Sequence, residues 1–108
     1  MAKVRTAEIV EHFERAIAAA GLREARVVLF GSYARGTATA DSDIDIAIIS
    51  PDFRGKDIFE RARVTQDAEL QAVRRFGLPF DIITLTPEEF AGESMAGDIV
   101  RSGMASGS

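Results

Sequence analysis

RVVLFGSYARGTATADSDIDIAIIS, residues 26–50, is the stretch on which the fold turns. Arg26–Phe30 is an apolar, β-branched and aromatic run that stops at Gly31, and it reads as a strand. Ile44–Ile49 is a second such run, ended by Ser50-Pro51. Between them, Ser32–Arg35 is long enough for one helical turn before Gly36. Outward toward the N-terminus, Ile9, Val10, Phe13, Ile17 and Ala20 recur at helical spacing, so a helix is expected over Ala7–Ala20, with Thr6 as N-cap and Gly21 past its end. Outward toward the C-terminus, Asp57–Phe76 reads as a long helix with Ile58, Phe59, Ala62, Leu70, Val73 and Phe76 facing the core, stopped by Gly77 and Pro79. Phe80–Leu85 is a third strand. Thr86-Pro87-Glu88-Glu89 is a capping box with Pro at the first helical position, opening a last helix over Pro87–Arg101 that Gly92 and Gly97 weaken. This order predicts an α/β (α+β) sandwich: a short mixed sheet of about three strands flanked by helices.

The chain has 108 residues, which is the size of one domain. Residues 1–102 are assigned to that domain and 103–108, within the Ser, Gly, Met and Ala run Ser102–Ser108, to a flexible tail. With 46% hydrophobic and 28% charged residues the composition is that of a folded protein, not a disordered one. The net charge of −4 gives no basic field with which to grip DNA or RNA. A magnesium nucleotide brings its own cations, so an acidic site remains compatible with it. Without cysteines, disulfides, thiolate metal sites and Cys nucleophiles are excluded. MAKVRTAEIV has no apolar signal core, and no apolar run approaches the roughly 20 residues that span a bilayer. A soluble cytoplasmic protein is expected.

Asp43 and Asp45 stand two apart at the head of the second strand, a spacing that sends both side chains to one face while Ile44, Ile46 and Ile48 point into the core. Like charges so placed repel, and Asp disfavours strands. A compensating cation resolves the conflict, and Mg²⁺ characteristically takes a couple of carboxylates together with substrate phosphates. An isolated Asp-x-Asp also fits a turn ahead of the strand with Asp45 on a solvated face. Asp81 repeats the pattern near the start of the third strand. If the two strands are neighbours, three carboxylates meet, as in sites where two metal ions lie about 3.5–4 Å apart. Asp81 would then be both a ligand and the best-placed general base. Gly31-Ser32 offers close backbone approach, a hydroxyl and N–H groups to phosphate oxygens, although a lone Gly-Ser is equally an ordinary strand-end turn. No Gly-Lys-Ser/Thr follows, so it is not a Walker loop.

Taken jointly, Gly31-Ser32, ten intervening residues and then Asp43-Ile44-Asp45 resemble the GS-x10-DxD signature of the polymerase-beta-like nucleotidyltransferases, and the chain looks like their minimal prokaryotic members over about Val27–Leu85. The resemblance implies that fold. It implies that Gly31 and Ser32 bind the nucleotide phosphates, that Asp43 and Asp45 ligate magnesium, two ions in all, and that Asp81 completes the site. Arg35 and Gly36 match a common extension, with Arg35 near phosphate or a neighbouring acid. His12, the single histidine, lies outside the motif and is expected at the surface; Tyr33 is expected to pack or to lie beside the phosphates.

Minimal members resembling this chain are often encoded beside a HEPN-domain toxin. The resemblance therefore implies an antitoxin of a type VII-like toxin–antitoxin system that moves AMP from ATP onto a tyrosine hydroxyl of the toxin. Two other readings stay open: an antitoxin that neutralises its partner by contact alone, and a transferase acting on a small molecule, which the lack of an added acceptor domain disfavours. Phe59, Phe76 and Phe90 are candidates for a partner surface, and equally for the core at their helical spacing.

Overall fold

A computed structural model describes residues 6–92 and 94–104. The elements are α1 (Thr6–Ala19), β1 (Arg26–Phe30), α2 (Gly31–Arg35), β2 (Ile44–Ile49), a 3-10 turn (Pro51–Phe53), α3 (Ile58–Phe76), β3 (Phe80–Leu85), α4 (Pro87–Ala91) and α5 (Met95–Gly103). The sheet is mixed, with β2 in the middle. β1 runs antiparallel to β2, Phe30 opposite Asp45. The long α3 carries the chain back across the sheet, which lets β3 pair parallel to β2, Asp81 beside Asp45.

Both faces of the sheet are covered. Ile44, Ile46 and Ile48 are fully buried on one face with Ile9, Phe13 and Ile17 of α1, Ala68 and Ala72 of α3, and Phe53. Each such isoleucine contributes about 1.5–3 kcal/mol. On the other face Ala47 and Ile49 pack with Val28, Phe30, Leu85 and Val100 of α5. A strand buried on both faces reads as one apolar run, and Asp45 is the single polar interruption in β2.

Three expectations need correction. First, α3 buries Thr65, Ala68 and Ala72, whereas Ile58, Phe59, Leu70 and Val73 are exposed. Small residues let α1 come close: His12, half-buried rather than at the surface, brings Nε2 to 3.3 Å from the Ala68 carbonyl and sets its ring edge-on to Phe13 and Phe76. Second, the last helix is two helices. Ser94 starts α5, its hydroxyl accepting from the Gly97 N–H at 2.9 Å and donating to the Glu89 carbonyl at 2.7 Å. A Cβ on Gly97 would lie 2.1 Å from that carbonyl, so this glycine permits the turn between helices rather than weakening one helix. Third, α5 continues through Ser102 to a buried Gly103, so the chain is still packed where the tail was expected to begin; residues 105–108 lie outside those described.

Candidate active site

The end of β1 and the start of α2 form around Gly31. Phe30 is extended, and Gly31 then turns to φ +75°. A Cβ at Gly31 would sit 2.0 Å from Asp45 Oδ2 and 3.0 Å from its Cγ, so no other residue fits there without displacing the carboxylate. Gly31 is closed in from the opposite side by α5, since a Cβ on Gly103 would lie 2.8 Å from the Gly31 nitrogen and 3.2 Å from the Phe30 ring. Ser32 follows, half-buried, and its carbonyl accepts the N–H of Gly36, which ends α2 in the left-handed region.

Strand register brings the acids together. Asp45 and Asp81 are direct partners on neighbouring parallel strands, which lie about 4.8 Å apart. Asp43 precedes β2 by one residue and is exposed, as is Asp81; Asp45 is half-buried. Burial first, then the charge of Asp81, then that of Asp43 push the Asp45 carboxyl above the ordinary carboxylate range. All three groups are acceptor-only oxygens when ionised, the donor chemistry of a hard divalent cation. Among the described residues no three acidic or imidazole side chains are gathered closely enough to hold a metal ion. The carboxylate oxygens of Asp43, Asp45 and Asp81 are the donor type that magnesium takes, and strand register sets Asp45 beside Asp81.

Beside Asp45 a cleft of about 420 Å³ opens between the two halves of the site. Phe30, Gly31, Arg35 and Asp45 line one wall; Asp98, Ile99, Ser102 and Gly103 of α5 line the other. Ser32, Asp43 and Asp81 are not part of its walls. Arg35 is exposed there and has no ion-pair partner among the described residues, whereas Asp98 pairs with Arg101 of its own helix. The part that the end of α5 plays in this wall escaped the sequence reading, which ended the last helix at Arg101 and gave 103–108 to a tail. The available signal was the pair Gly97 and Gly103: two glycines on one helix mark close approach more often than flexibility.

Fold and site thus define a domain in which a glycine turn packs against a strand carboxylate, and the chain belongs to the nucleotidyltransferase domain family, which it matches over residues 9–104. It is 35% identical over 69 residues to a protein of Methanocaldococcus jannaschii named as a proposed protein adenylyltransferase, a match covering 64% of this chain and 46% of that protein. The chain therefore spans about half the length of this curated relative. A crystal structure of a proposed nucleotidyltransferase from Sulfolobus solfataricus is similar in fold, with a TM-score of 0.52 at 23% identity over 82% of this chain and 81% of that one. No helix among the described residues is long and apolar enough to cross a membrane.

Proposed function

We propose that the chain, acting in the cytoplasm with magnesium, transfers AMP from ATP to a tyrosine hydroxyl of a HEPN-domain toxin and so serves as the antitoxin. The observation that carries the transfer chemistry is the contact of Gly31 with the Asp45 carboxylate, with Asp81 in register beside it. The named activity of the M. jannaschii relative supports a protein as acceptor. The choice of a HEPN toxin, of tyrosine and of ATP rests on the family resemblance of the GS-x10-DxD pattern.

In this reading Asp43, Asp45 and Asp81 would hold the magnesium, which would supply charge neutralisation to the phosphates. The Gly31 and Ser32 backbone N–H groups and the Ser32 hydroxyl hold the β- and γ-phosphates, and Arg35 adds a cation at the cleft wall. Asp81, exposed and without an ion-pair partner among the described residues, accepts the proton of the acceptor hydroxyl. The freed oxygen attacks the α-phosphorus, the bond to the bridging oxygen breaks, and pyrophosphate leaves.

The test is incubation with α-labelled ATP, magnesium and the purified product of the adjacent gene. Wild type should label that protein and Asp43→Ala/Asp45→Ala should not. Equal labelling by both proteins sinks the assignment. Rescue of growth by the unlabelled double variant, at wild-type expression, replaces it with neutralisation by contact, and turnover of an added aminoglycoside or nucleotide without any partner replaces it with a small-molecule transferase.

A further inference from the structure

Strand β3 is an edge strand, pairing with β2 alone among the described residues. The Pro79 and Leu85 carbonyls accept from Ile44 and Ser50 on the β2 side, so the alternate residues Phe80, Ile82 and Thr84 turn their backbone groups outward. Among the described residues only the Thr84 carbonyl is met from outside β2, by Arg61 of α3 at 3.4 Å. The strand carries no Lys or Pro of the kind that guards an edge. Between this edge and α3 runs a cleft of about 430 Å³, walled in part by Ile58, Ala62, Gln66, Ile82 and Ile83.

The outer face of α3 is self-complementary. Phe59, Ala62, Gln66, Leu70 and Val73 are all exposed, Phe59 by 70%, Leu70 by 45% and Val73 by 40%. At 3.6 residues per turn these positions fall in one sector of about 80°. Their spacing is symmetric about Gln66. In an antiparallel copy Phe59 meets the partner's Val73, Ala62 meets the partner's Leu70, and Gln66 meets its own equivalent. The solvent flank of the stripe alternates in sign, Glu60, Arg63, Asp67, Arg74, and all four are exposed. Reversed, that order sets Glu60 against the partner's Arg74 and Arg63 against the partner's Asp67. None of Arg63, Asp67 and Arg74 has an ion-pair partner among the described residues. An isologous dimer needs this kind of patch, one that complements itself under a two-fold axis.

We propose that this face is the interface of a homodimer. One two-fold axis, normal to the sheet and passing beside β3, lays α3 antiparallel to the partner's α3 and pairs β3 antiparallel with the partner's β3. The outward backbone groups of Phe80 and Ile82 gain ladder partners, and the two sheets become one of six strands. The inference rests on the fold and does not depend on what the carboxylates do.

The mass in solution tests it, measured by sedimentation equilibrium across roughly 1–100 μM, a range in which the fraction of a micromolar dimer changes measurably. Wild type should shift with concentration from 11.7 kDa toward twice that mass. Phe59→Glu should remain monomeric with an unchanged far-UV CD spectrum. Arg63→Asp should weaken association about tenfold, because the two-fold axis counts each lost pair twice, and Arg63→Asp/Asp67→Arg should restore it. A wild type that is monomeric throughout, or whose mass rises only on adding a second protein, overturns the proposal. So does a dimer that Phe59→Glu leaves intact, or a charge swap that fails to recover association.

Discussion

Gly31 and Asp45 fill adjoining space, and that contact makes two predictions at the level of single residues. Gly31→Ala puts a side chain at φ +75° and within 2.0 Å of Asp45 Oδ2. It should cost about 1–3 kcal/mol of stability and at least about 100-fold in kcat, measured by denaturant unfolding and by label transfer. Gly36→Ala is the control. It shares the φ of +75° but meets nothing within 4 Å, so it should lose stability alone. Asp45→Asn removes a carboxyl that burial and two neighbouring acids hold above its ordinary pKa. The folded state binds that proton more tightly than the unfolded chain, so the ionised group costs stability above its folded pKa, and the cost disappears as pH falls through it. Asp45→Asn should therefore melt higher than wild type at pH 7 without metal, with the gap closing toward pH 4. Magnesium should raise the Tm of wild type only, by mass action on the native state. The residue identities at this site were legible in the Gly-Ser and Asp-x-Asp spacing. Their contact was not, because it depends on the register of β1 against β2, which no local pattern encodes.

At the level of elements, Arg61 joins three parts of the chain. Its side chain is only 11% exposed; it bonds Glu89 at 2.7 Å and the Lys56 carbonyl at 2.9 Å, and its guanidinium lies 5.8 Å from the centre of the Phe53 ring. Arg61→Met keeps the stem but strands these acceptors, and should cost about 2–4 kcal/mol in chemical denaturation. Glu89, held below the ordinary carboxylate range chiefly by its hydrogen bond to Arg61, adds stability above its unfolded pKa that is lost as pH falls through its lower folded one. In Arg61→Met the acid limb of the stability curve should be correspondingly flatter. The three strands and the capping box at Thr86 were legible from period and turn chemistry, and each stands where the pattern set it. The core face of α3 was not. Its large apolar residues outline one stripe while Thr65, Ala68 and Ala72 bury another, because close approach to α1 selects for small side chains and hydropathy scoring selects for large ones.

At the level of the whole molecule, α5 converts a strand-end turn into a cleft. Gly103 touches Gly31, and Asp98 and Ile99 face Arg35 across the opening, so the far end of the chain shapes the site. Gly103→Val should push the Gly31 backbone aside and raise the KM for nucleotide more than it lowers stability, a difference read by comparing nucleotide titrations with thermal melts.

Nucleotidyl transfer that depends on Asp45 is open to a direct assay. Parallel reactions with α-labelled and γ-labelled ATP, with magnesium and the adjacent gene product, test it most directly. The α label alone should become attached to the acceptor tyrosine, and Asp45→Asn should reduce this by at least about 100-fold while remaining folded. Transfer of the γ label, or α labelling that Asp45→Asn leaves unchanged, contradicts it.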